Sequence, residues 1–126
     1  MSFELRLSCP AQSEYVARVR HTLTAFLQGL ELDRDLLADV TIAAGEALAN
    51  AVEHAYERGC ERPRLALRAR LWRTGRLCVE VSDHGSFIER GPVPGRGLGL
   101  QIIRAIAGRL TIDTAKGTRV RMIFER

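Results

Sequence analysis

Lysine is almost absent from this chain: Lys116 stands against 18 arginines in 126 residues, and the formal net charge of +4 therefore rests on arginine. Arginine binds carboxylates and phosphates through a planar fork, so anionic partners are favoured in general terms. Aromatic residues are also scarce, at 6%. Binders of single-stranded nucleic acid interleave basic residues with stacking aromatics, and this composition argues against direct nucleic-acid binding. Three cysteines, Cys9, Cys60 and Cys78, are widely spaced and form no C-x-x-C pair. That disfavours a zinc cluster or a dithiol redox centre and fits a reduced, cytoplasmic setting. Long apolar runs are missing as well. Even the stretch from Leu36 to Val52 contains Asp39, Glu46 and Asn50, whereas a membrane span needs about 18 uninterrupted apolar residues. The first ten residues alternate polar and apolar groups and lack the two-part pattern of a signal peptide.

What is present fits one domain of 126 residues with a single core. Phe3, Leu5 and Leu7 alternate with Glu4, Arg6 and Ser8, the period of a half-buried strand that Pro10 stops. Val16, Val19, Leu23, Phe26 and Leu27 recur at helical spacing between Ala11 and Gly29, with Gly29 as the expected stop. Asp33 is placed to cap a longer helix running to about Arg58, with Leu37, Val40, Ala44, Leu48, Ala51, Val52 and Ala55 as its apolar stripe. Two strands follow around a Thr74-Gly75 turn. Leu65, Leu67, Ala69 and Leu71 face one side of the first, and Leu77, Val79 and Val81 one side of the second. The arginines on the alternate positions read as a solvated face balanced by Glu80 across the hairpin.

Residues 84–97, HGSFIERGPVPGRG, hold too many glycines and prolines for regular structure and are expected to form a functional loop. A third helix from Leu98 and two strands around Leu110–Thr114 and Arg119–Glu125 complete an order β, α, α, β, β, loop, α, β, β. The expected fold is a two-layer α/β sandwich (α+β) with a mixed, largely antiparallel sheet and helices on one face.

Three groups of residues could carry chemistry. Glu46, Asn50 and His54 are four apart and line one face of the long helix beside the apolar stripe. A carboxylate near a low-dielectric surface can act as a general base, and an amide oxygen is a hard ligand suited to Mg²⁺. The plainer alternative is a helix flank meeting water. Asp83 continues the inward alternation of Leu77, Val79 and Val81, and a buried carboxylate needs hydrogen-bond donors such as the exocyclic amine of a purine. Its alternative is a cap for the His84-Gly85 turn. Gly95, Gly97 and Gly99 lead into the third helix, whose free backbone N–H groups and positive dipole end suit a phosphate. The pattern is neither a P-loop, lacking Gly-Lys-Ser/Thr, nor a dinucleotide fingerprint, lacking G-x-G-x-x-G after a strand.

Taken in order, Glu46-x-x-x-Asn50, Asp83-x-Gly85, Gly95-x-Gly97-x-Gly99 and Gly117-Thr118 resemble the N-box, the two glycine boxes and the final Gly-Thr of the histidine-kinase-like ATPase superfamily. This is the Bergerat ATP-binding fold of gyrase, a heat-shock chaperone, mismatch-repair proteins and sensor kinases. The run GEALANAVEHAY, Gly45 to Tyr56, resembles most the anti-sigma-factor serine/threonine-protein kinases.

The resemblance implies ATP and Mg²⁺ as cofactors and a general-base role for Glu46 toward a protein hydroxyl. It implies Asn50 as metal ligand, and Asp83, Gly85 and Thr118 around the adenine. Gly95, Gly97, Leu98 and Gly99 would surround the phosphates, under a lid made of the 84–97 loop. His54 matches a histidine common in that branch, with its role left open. The implied partners are a sigma factor, an antagonist protein as phosphorylation substrate, and a second copy of the chain in a homodimer joined through the N-terminal strand and helix. Two alternatives stand beside this: a non-catalytic nucleotide-binding module that only sequesters a partner, and a partner-switching kinase unconnected to a sigma factor. One departure is visible: Ser86-Phe87 replaces the second glycine of the D-x-G-x-G box.

Overall fold

A computed structural model of the chain describes residues 2–57, 64–83, 98–113 and 118–125. The elements run β1 (Ser2–Pro10), α1 (Ser13–Gly29), α2 (Arg34–Glu57), β2 (Arg64–Trp72), β3 (Leu77–Asp83), α3 (Leu98–Ile106), β4 (Arg109–Asp113) and β5 (Thr118–Phe124). This is the order read from the sequence. The strands form one sheet in the order β1-β2-β3-β5-β4, and all four pairings are antiparallel. The parallel component that a mixed sheet would include is absent among the described strands.

Strand alternation sorts the residues into two faces. Cross-strand register aligns the inner face into rows: Phe3-Leu71-Leu77-Phe124, Leu5-Ala69-Val79-Met122-Leu110, Leu7-Leu67-Val81-Val120-Ile112, and finally Cys9-Leu65-Asp83-Thr118. The helices lie on this face, with α1 against β1 and α2 against β2, β3 and β5, while α2 also packs on α1 and α3. Leu27, Leu48, Leu65, Leu67, Leu77, Ile103 and Met122 are essentially sealed from water. Each such burial contributes about 1.5–3 kcal/mol relative to exposure, which is why the pattern alone defines the layers. Alanines at 43, 44, 47 and 51 make up most of the buried stripe of α2, with Val40 and Leu48, and their small size lets this helix lie close over the sheet.

Two turns show how local chemistry fixes the chain path. Between β2 and β3, the Gly75 N–H donates to the Trp72 carbonyl at 2.9 Å with φ at 90°, a conformation that favours glycine. After α1 the sequence places the stop at Gly29, but Gly29 is the last helical residue and the left-handed position is Glu31, with φ at 55°. The Leu30 and Glu31 N–H groups still bond back to the carbonyls of Leu27 and Gln28. The Asp33 carbonyl accepts the Leu37 N–H at 2.8 Å, so α2 begins where the sequence places its cap.

Candidate nucleotide site

The fourth inner row differs from the other three. Asp83 ends β3 and is 5% exposed, and Thr118, its cross-strand neighbour on β5, is 3% exposed. They are the buried polar or charged residues among the described side chains. The inward direction read for Asp83 from β3 alternation is therefore observed. Directly opposed residues in an antiparallel pair lie about 4.5–5.5 Å apart, so a carboxylate and a hydroxyl stand side by side on the buried end of the inner face. The Thr118 Oγ1 is buried and has no hydrogen-bond partner. Leaving such an atom unsatisfied costs about 1–3 kcal/mol. A polar ligand edge entering here would remove that cost.

On α2, Glu46 and Asn50 are both half-buried and border the Ala43-Ala47-Ala51 stripe. Gly45 lies against the Arg20 guanidinium of α1, an ordinary 3.6 Å from where a β-carbon would stand. Successive helix residues are about 100° apart, so α1 takes one flank of the stripe and Glu46 and Asn50 stand on the other. The two are one helical turn apart and share that flank. A single amide oxygen of this kind suits Mg²⁺, which is held by few protein groups together with substrate phosphates. No cluster of three His, Cys, Asp or Glu side chains that would compete as a metal cage occurs among the described residues.

Leu98 and Gly99 begin α3, and Ile103 anchors that helix in the core beside α2. Gly85, Gly95 and Gly97, the 84–97 loop as a whole, and residues 115–117 lie outside the described residues. His54 belongs to α2. Cys9 shares the fourth row with Asp83, and burial pushes its thiol pKa up, with Arg64 opposing. It is thus disfavoured as a nucleophile.

Sequence periodicity placed Asp83 inward but could not bring Thr118 to it. That neighbour relation depends on β5 inserting between β3 and β4. The sequence signal for Thr118 was its match to a family motif. The arginine face is also corrected in detail. Arg68 is Glu80's register partner, yet it bonds Glu4 at 2.8 Å, while Glu80 takes Arg119 at 2.9 Å and Arg121 at 3.2 Å from β5.

The sheet with helices on one face carries a buried Asp at a strand end and a Glu/Asn pair on the covering helix, and residues 9–124 match the histidine kinase-like ATPase domain. The chain belongs to that family. The resemblance within it is to anti-sigma-factor kinases: the serine-protein kinase RsbW of Staphylococcus epidermidis is 29% identical, over 95% of this chain and 84% of that protein. The structure of the RsbU and RsbW domains of a Mycobacterium tuberculosis protein superposes with a TM-score of 0.75 at 25% identity, covering 98% of this chain and 32% of that longer one. The SiaB–SiaC complex of Pseudomonas aeruginosa superposes with a TM-score of 0.74 at 14% identity, over 95% of this chain and 88% of that one, a likeness of fold. No helix among the described residues is long and apolar enough to cross a membrane.

Proposed function

We propose that this chain is an ATP- and Mg²⁺-dependent protein serine/threonine kinase that phosphorylates a small antagonist protein and sequesters a sigma factor, acting in the cytoplasm on transcription. The observation that carries the reading is the buried Asp83 beside the unpartnered Thr118 hydroxyl. A carboxylate and a hydroxyl side by side away from water complement a purine edge, since the carboxylate accepts from the exocyclic amine and the hydroxyl serves a ring nitrogen directly or through water.

Phosphoryl transfer asks the protein mainly for positioning and charge neutralisation. In this reading Glu46 accepts the proton as the substrate hydroxyl oxygen bonds to the γ-phosphorus and the bond to the bridging oxygen breaks, releasing ADP. Asn50 would hold Mg²⁺, which supplies neutralisation of phosphate charge when bound. Gly85 leaves room for the base, and the backbone N–H groups of Gly95, Gly97, Leu98 and Gly99 complete the phosphate cradle on this reading. Homodimerisation is supported by β1 lying at a sheet edge with Phe3 62% exposed beside Phe26 of α1. A free strand edge with an apolar residue is a ready surface for a second copy.

One observation favours the second reading, a non-catalytic sequestering module: Ser86-Phe87 occupies the place of a glycine that the family box normally has. The two readings separate on one experiment. Calorimetric titration with ATP, with and without Mg²⁺, is followed by phosphotransfer to a candidate antagonist protein in the wild type and in Glu46→Ala. A kinase binds ATP in both proteins and loses about 10²–10⁴-fold in transfer rate in the variant. A sequestering module shows no transfer in either and keeps its partner binding.

A further inference from the structure

The outer face of the sheet carries no helix among the described elements, and register brings its arginines together. One row reads Arg6-Arg68-Glu80-Arg121, and the next reads Glu4-Arg70-Cys78-Ile123. Glu4, although opposite Arg70, gives its carboxylate to Arg6 and Arg68. Arg70 is left stacked on the Trp72 ring, 4.8 Å from its centroid, with its Nε buried and without a hydrogen-bond partner. Beside it lies a groove of about 300 Å³ with Cys78 and Ile123 as its apolar floor and Trp72, four arginines (Arg68, Arg70, Arg76 and Arg121) and one carboxylate, Glu80, around it.

We propose that this groove is a docking site for an acidic segment of a partner protein, on the face of the sheet opposite the nucleotide site. An apolar side chain of the segment rests on Cys78, Ile123 and Trp72, and its carboxylates meet Arg70 and Arg121. Charge complementarity selects this occupant. The floor is apolar, four arginines outnumber the one carboxylate of the rim, Glu80, which Arg119 and Arg121 already neutralise, and the Arg70 Nε is desolvated and lacks an acceptor, so a carboxylate there gains a charge-assisted bond. The existing bonds of Arg76 to Glu125 and of Arg121 to Glu80 join partly exposed groups. Such pairs contribute about 0–1 kcal/mol and exchange readily for a partner's carboxylate. Glu4, Glu80 and Glu125, standing among the arginines, repel a continuous phosphate backbone or an anionic lipid surface but leave room for a segment of mixed acidic and apolar residues.

The test uses the full ¹⁵N-labelled chain and four probes: a synthetic peptide alternating Glu with Leu and Phe, the same peptide with Gln for Glu, a short DNA duplex, and phosphatidylglycerol vesicles. The expected result is that the acidic peptide alone shifts the Arg70 Nε–H, the Trp72 indole and the Cys78 and Ile123 amides. Arg70→Glu and Arg121→Glu should each weaken this binding about tenfold or more, the loss of one charge-assisted hydrogen bond. ATP titration should be unchanged in both variants, which separates failure here from failure of the kinase reading. Arg121→Glu leaves the Arg70-Trp72 stack intact and serves if Arg70→Glu does not fold. The proposal is overturned if the peptide leaves these resonances unmoved, if folded charge-reversed variants bind as well as wild type, or if the Gln peptide, the duplex or the vesicles bind as tightly.

Discussion

The two faces of this sheet are built from the same strands yet obey different rules. On the inner face, water is excluded and each group counts heavily: Leu67 on β2 is 1% exposed. On the outer face of the same strand, Arg68 is partly exposed and pairs with Glu4 at 2.8 Å. A buried methylene or hydroxyl has no substitute solvent, whereas an exposed guanidinium always has one. The proposed nucleotide site takes its leverage from being the polar end of the inner face, where a small number of unsatisfied or charged atoms are decisive.

The largest effect expected from breaking this contrast is on stability. Leu67→Ala should lower the unfolding free energy by about 2–5 kcal/mol, through lost transfer energy and the cavity left behind. Arg68→Ala, its outer-face neighbour, should change it by less than about 1 kcal/mol. Urea unfolding of both variants checks the comparison, and equal losses would mean that the outer face is more tightly built than its exposure indicates.

Next in size is Asp83→Asn, which keeps the shape of the side chain but removes its charge. ATP affinity should fall about 100-fold, the scale of a hydrogen bond to a charged group in a dry pocket. Calorimetry with the folded variant reads it directly. Retained affinity would assign Asp83 to the turn after β3 instead of to the adenine.

Why this carboxylate could be found in the sequence while its neighbour could not follows from the range of each signal. Alternation of Leu77, Val79 and Val81 has a period of two and carries on to Asp83 without any knowledge of the fold. The pairing of Asp83 with Thr118 spans residues 84–97, a helix and an edge strand, and no local pattern encodes that β5 enters between β3 and β4. The same limit governs Glu80. Hairpin register offers it Arg68, but the arginines that bond it come from a strand about forty residues later, Arg121 being 41 positions away. Face is local information, and neighbours across a sheet are topological. The Glu46 and Asn50 flank was legible because helical spacing is local too, while its relation to α1 required the contact of Gly45 with Arg20.

Thr118→Val sharpens the contrast by predicting two effects of opposite sign. Valine keeps the volume and removes a buried hydroxyl that has no partner, so the free protein should gain about 1 kcal/mol of stability. The same change should weaken ATP binding about tenfold, because the hydroxyl is then missing from the proposed adenine contact. Thermal unfolding with and without ATP tests both together. A loss of stability in the free protein would show that the hydroxyl already has a role in the unliganded fold.

The smallest effect belongs to the outer face. The hydrogen bond from Arg6, with the charges of Arg6 and Arg68, holds the Glu4 carboxyl below its ordinary value of 4.5. A carboxylate whose folded pKa is depressed contributes stability that is fully present above the unfolded pKa and is lost as pH falls through the folded one. The difference in urea midpoint between wild type and Glu4→Gln should therefore be constant at neutral pH and close as the solution is acidified below the ordinary carboxylate range. Because Arg6, Arg68 and Glu4 all meet solvent, the difference should be small and should shrink further in about 1 M salt, where screening acts within about 3 Å. A large, salt-resistant difference would mean that this network is shielded from water, and the division between a dry inner face and a solvated outer one would fail at β1.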